Sequence, residues 1–202
     1  MDVAKKDKLF EVADRQLGYF TSQQAEDCGF PRSHFQRHLA SGAWIKEIRG
    51  VYRLARYPLQ DRSELVLWTL WSRNKKGVPQ GVWSHETALD IHELTDIMPS
   101  KMHLTVPKHF RRGQEIPQII HLHFSSLADR DMEMRRGYRV TTPLKTLLDI
   151  AAEGFIPLNQ IKQGLDEALS RGLLLRRDIE ESKTDYPESA ETLMKVLDGR
   201  AI

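Results

Sequence analysis

The chain is 202 residues long, 40% hydrophobic and 29% charged, with a formal net charge of +2 and a single cysteine. That length suits one large or two modest domains, and the apolar fraction is enough for cores, so the chain need not be disordered. Cys28 alone excludes an intramolecular disulfide and a thiolate metal cluster, and reads as a small core residue. No stretch approaches the ~20 apolar residues of a membrane span, and the opening MDVAKKDKLF has no apolar run of signal-peptide length. A cytoplasmic protein with no membrane partner is expected.

The first helix is expected over about Val3 to Leu17, with Val3, Leu9, Phe10, Ala13 and Leu17 as a rough apolar stripe and Lys5, Lys6 and Lys8 outward. It ends at Gly18. A second helix opens at Thr21 or Ser22, where Thr21 and Gln24 have capping-box spacing, and closes at Cys28-Gly29. Pro31 suits the first turn of a third helix that runs to about Ser41-Gly42. At about 100° per residue, Phe35 and Leu39 fall on one side of that helix with Pro31 near them, and Ser33, Gln36, Arg37 and Ala40 on the other. Arg37 is suited to guanine and Gln36 to adenine in a major groove, with Arg32 and His34 flanking toward phosphates. A strand from Trp44 to Ile48, an Arg49-Gly50 turn and a strand from Val51 to Leu54 follow. Lys46, Arg49, Arg53 and Arg56 surround that turn, where backbone phosphate contacts sit. A basic outward helix followed by a basic hairpin reads as a winged helix-turn-helix DNA-binding domain, residues 1–58, against the blander reading of a solvated helix face. The +2 balance does not oppose this, because local clustering matters, and the acidic tail (Glu180, Glu181, Asp185, Glu188, Glu191) separates a basic head from an acidic end.

Arg56 to Gln60 is the best boundary, leaving 59–202 as a second domain. A helix is expected from Asp61 to Ser72 and another from an N-cap at Ser84 to about Leu94. Strands are expected over Lys101 to Val106, Ile119 to Phe124 and Tyr138 to Thr141. Thr142 caps a helix with Pro143 at its first position. Helices follow over Leu144 to Glu153, Leu158 to Arg171, Leu175 to Lys183 and Pro187 to Leu197. The fold class is α+β: a small mixed sheet covered by helices, after the DNA-binding head.

Three ordered strings carry a family resemblance. They are Gly18-Tyr19-Phe20-Thr21 with Gly29 to Phe35, Gly50-Val51-Tyr52-Arg53-Leu54 and Pro58; Ser84 to Leu89 with His103 to Pro107; and Val140 to Asp149. Together they resemble AbiEi-family antitoxins of type IV toxin–antitoxin (abortive infection) systems. The resemblance implies an N-terminal winged helix that represses its own operon on double-stranded operator DNA. It implies an α/β domain that neutralises a functionally paired nucleotidyltransferase-like toxin without a stable complex. Some members are solitary, so a ligand-sensing or protein-sensing regulator is a third reading.

Enzymatic alternatives are weaker. His92-Glu93-Leu94-Thr95-Asp96 begins like a zinc-protease motif, but Asp96 stands where the second histidine belongs. His121 and His123 point to one face of a strand, with His103 on a neighbour; they have the chemistry of a metal site but read as cross-strand fillers. Asp166 with Glu181 and Lys183 has the composition of a metal-dependent nuclease, yet Glu181-Ser182-Lys183 reads as helical and the chain ends early for a nuclease sheet. No catalytic residue, metal or cofactor is expected. Arg111, Arg112, Arg135 and Arg136 form basic loops, candidates for a nucleic-acid or acidic protein partner against ordinary solvated turns. Thr142 and Asp149 read as structural, Asp149 satisfying backbone or arginine groups.

Overall fold

The computed structural model describes residues 3–113 and 115–199. It is an α+β protein with a three-stranded sheet and a five-stranded mixed sheet. Contacts divide it into two compact units, residues 1–81 with 134–138, and residues 82–133 with 139–202.

The first unit begins with helix α1 (Val3–Asp14), strand β1 (Tyr19–Thr21) and helix α2 (Ser22–Asp27). A 3-10 turn (Arg32–His34) then leads into α3 (Phe35–Ala40), β2 (Trp44–Ile48), β3 (Val51–Leu54) and α4 (Ser63–Trp71). The sheet order is β1-β3-β2, all antiparallel, with Phe20 opposite Tyr52 and Trp44 opposite Leu54. Thr21 caps α2 as its spacing implies: its side chain accepts from the Gln24 backbone N–H and the Gln24 side chain accepts from the Thr21 N–H. Gly50 holds the β2–β3 turn at φ 78°, a conformation that disfavours any side chain. Leu9, Ala13, Phe20, Ala25, Cys28, Phe30, Phe35 and Trp44 form one buried cluster. Burial raises the Cys28 thiol above its ordinary pKa, as a core residue requires.

Several expectations shift here. α1 stops at Asp14 rather than Leu17, because Leu17 adopts φ 51° and the chain turns into β1, a strand the sequence reading missed. The third helix is a 3-10 turn before a short α-helix, and Pro31 is exposed rather than inward. The compact unit also runs past Pro58. Val66 and Leu70 of α4 are buried with Leu17, Tyr19 and Val51, which would otherwise face water.

The second unit carries β4 (Val82–Trp83), α5 (His85–His92), β5 (Met102–Val106), β6 (Ile120–Phe124), the first half of β7 (Met132–Arg135) and all but the first residue of β8 (Tyr138–Thr141). It continues with α6 (Pro143–Glu153), α7 (Leu158–Ser170), α8 (Arg176–Ser182) and α9 (Pro187–Leu197). The sheet order is β6-β5-β4-β8-β7. β4 runs antiparallel to β5 and parallel to β8, and β5 runs parallel to β6. The short β4 and β7 carry too few residues for a periodic signal and were not anticipated. Thr142 caps α6 by accepting from the Lys145 N–H, with Pro143 at the first position. Leu147, Leu148, Ile150, Ile161, Leu165, Ile179 and Leu193 form the helical core.

Candidate nucleic-acid interface

Trp44 sets the orientation of α3. Its ring meets Phe20 at 4.9 Å, Phe30 at 5.3 Å and Phe35 at 5.2 Å, and stacks on His38 at 4.4 Å. Phe35 and His38 are therefore the buried side of the helix, with Leu39 half-buried beside them. Helical periodicity marks Phe35 and Leu39 as inward but not His38. Its ring takes an apolar role because one face lies on an indole, and burial lowers its pKa from 6.5. With that side fixed, Ser33, His34, Gln36, Arg37 and Ala40 are exposed.

Lys46 and Arg49 are exposed on β2 and its turn. Neither they nor Arg37 has an ion-pair partner among the described residues, so their charge is open to a polyanion. Two other candidates differ. Arg53 projects from β3 with 11% of its side chain exposed, and its Nε donates to Glu47 Oε1 at 2.7 Å. It braces the hairpin rather than presenting a free cation. Arg32 pairs with Glu26 at 2.9 Å, but that pair is exposed, and a phosphate displaces such a contact cheaply. Arg73, which the sequence reading passed over, fastens the turn: its Nη2 donates to the Gly50 carbonyl at 3.0 Å, which also accepts from the Ser22 N–H at 3.1 Å.

The basic loops are not equivalent either. Arg111 is exposed and donates to the Phe110 carbonyl, and Arg112 is half-buried, with burial lowering its pKa. Arg135 is exposed. Arg136 is engaged within the first unit, where its Nη2 donates to Asp14 Oδ1 and to Tyr57 Oη, each at 2.9 Å.

Asp166 pairs with Lys162 on the same helix, Glu181 lies on α8 and Lys183 caps it, so the Glu-x-Lys string is helical as expected. His92 Nε2 donates to the Thr141 carbonyl at 2.7 Å, a structural contact. Asp149 pairs with the buried Lys145 one turn earlier, not with backbone or arginine. His103 and His121 are register partners on β5 and β6, and His103 Nδ1 lies 3.0 Å from His123 Nε2. Two further groups meet them, His85 and Glu153, which come from helix ends and leave no strand pattern in the sequence. Burial lowers His85 to about 2 and His103 and His123 to about 4, and raises Glu153.

The fold is similar to the crystal structure of the RV2827C protein from Mycobacterium tuberculosis, with a TM-score of 0.59 at 15% identity, covering 96% of this chain and 76% of that one. At that identity the likeness concerns the fold alone. Comparison with curated proteins gave no match. Residues 7–55, which run from within α1 to the end of β3 and include the exposed groups just described from Arg32 to Arg49, match the family model described as transcriptional regulator, AbiEi antitoxin.

Proposed function

We propose that the chain is a winged helix-turn-helix repressor that binds its own operator and acts as the antitoxin of a type IV system. In this reading it counteracts a nucleotidyltransferase-like toxin without forming a stable complex. The observation that carries the DNA-binding part is one face. A 3-10 turn and short helix fixed from behind by Trp44 expose Ser33, Gln36 and Arg37, beside a hairpin that exposes Lys46 and Arg49, neither with an ion-pair partner among the described residues. The helix reads bases and the hairpin turn, the wing, meets phosphates. The family match over residues 7–55 supports the antitoxin reading. The effector domain, residues 59–202, carries neutralisation, with Arg111 and Arg135 as its exposed candidate contacts, and no catalytic role is assigned to Asp166, Glu181 or Lys183. Repression belongs to residues 1–58 and the effector role to 59–202.

Fluorescence anisotropy on duplexes from the chain's own promoter tests the first part. Binding is expected to be at least tenfold tighter than to shuffled duplex at the same salt. Equal affinity for both rules out operator recognition. Co-expression with the neighbouring gene tests the second part: rescue of growth supports the antitoxin role, and a neighbouring product whose toxicity is unchanged removes it.

A further inference from the structure

We propose that His85, His123 and Glu153 bind a divalent transition-metal ion of the zinc type, with a further coordination position open to water. The site lies in the second unit and is independent of the DNA-binding reading. His85 opens α5, Glu153 closes α6 and His123 lies on the edge strand β6, so distant stretches of chain bring one ligand atom each to one place. These atoms all lie within 4.8 Å of one another. Glu153 Oε1 is 3.0 Å from His123 Nδ1 and 3.5 Å from His85 Nε2. Ligands about 2.0–2.1 Å from a tetrahedral zinc are roughly 3.3 Å apart, so the two separations bracket what the ion requires. Imidazole with one carboxylate suits zinc and its first-row neighbours, whereas magnesium and calcium want oxygen alone.

The surroundings supply what ligating imidazoles need. A metal-bound histidine donates its other ring N–H to an outer partner, which sets the tautomer. His85 Nδ1 has Ser84 Oγ at 2.8 Å, and His123 Nε2 has His103 Nδ1 at 3.0 Å. Both partners can accept a hydrogen bond. Without metal, each ring can instead turn an N–H toward Glu153; binding moves that proton to the outer nitrogen, where an acceptor waits. The His85 and His123 rings stack at 3.5 Å with 10° between planes, so the ion enters as the rings splay. His85 also holds φ 52°, a left-handed conformation uncommon outside glycine. A serine–histidine–carboxylate nucleophile is the competing reading of Ser84, His85 and Glu153. It fails because Ser84 is fully buried and its Oγ also accepts from Thr105 Oγ1 at 2.7 Å, which leaves no approach for a substrate carbonyl.

Untagged full-length protein, stripped of metal and titrated with Co(II) and then Zn(II), provides the test. One equivalent of Co(II) should give the visible absorption of a four- or five-coordinate ion. Zn(II) should displace it and raise the melting temperature by several degrees. His123→Ala and Glu153→Gln should each weaken binding by about tenfold or more, while His121→Ala binds like the parent. Folded parent protein that takes up no stoichiometric metal overturns the proposal without reference to any variant. Parent-like binding by folded Glu153→Gln and His123→Ala also overturns it. So does loss of binding in folded His121→Ala, which places the ligands on the strand face of His103, His121 and His123 instead.

Discussion

Arg37, Lys46 and Arg49 are exposed cations without an ion-pair partner among the described residues, whereas Arg53 has Glu47 at 2.7 Å and is mostly covered. Desolvation and pairing decide what a charge can do, so these arginines should separate in DNA binding. On the proposed reading, in which Arg37 contacts a base, Arg37→Ala should cost about 1–3 kcal/mol and relax sequence preference. Arg49→Ala should weaken binding to all duplexes and reduce the slope of log K against log salt by about one. Arg53→Ala should leave that slope unchanged, and a reduced slope shows that Arg53 reaches a phosphate after all. His38 gives a second prediction at this scale. Burial against Trp44, aided by the charges of Arg37 and His34, lowers its pKa from 6.5 in the native state. As pH falls below about 6.5 the unfolded chain takes up a proton that the native chain refuses, so this site's contribution makes the native state less stable toward acid. An NMR titration of the His38 ring should give a midpoint below 6.5; one at or above that value contradicts the buried, neutral ring.

Among the elements, α2 and α3 are short, six residues each, and cannot persist on propensity alone. Caps and packing hold them. The Thr21–Gln24 box satisfies two backbone donors that would otherwise be left at the start of α2, and Thr21 is 2% exposed, so water does not replace it. Thr21→Ala should therefore cost roughly 1–2 kcal/mol by urea unfolding, with Thr21→Ser recovering most of it. An unchanged midpoint in Thr21→Ala would show that packing alone sets the helix start. The capping signals were legible because they are local: Thr21 with Gln24 and Thr142 with Pro143 lie within one turn of helix. The strands β1 and β4 were not, since a strand of two or three residues acquires its identity from the partner it pairs with, and β7 also went unseen.

For the whole molecule, the compact first unit ends beyond the linker that the sequence suggests, and that has a consequence. A fragment of residues 1–58 lacks Val66 and Leu70, both nearly fully buried against Leu17, Tyr19 and Val51. Losing two such side chains removes on the order of 3–6 kcal/mol, while the exposed Arg136–Asp14 pair, absent from a fragment of residues 1–81 as well, contributes at most about 1 kcal/mol. Residues 1–81 should thus unfold at clearly higher urea than residues 1–58, and coincident curves refute the role given to α4. The sequence alone determined the order of the long helices, the caps, the basic outward face of α3 and the α+β class, because each rests on periodicity or on neighbours a few residues apart. The tertiary structure alone decided which arginines keep a free charge, why His38 is a core residue, where the first unit closes, and that His85, His123 and Glu153 meet. Those outcomes depend on burial and on contacts between segments far apart in the chain, and no local pattern of residue types records them.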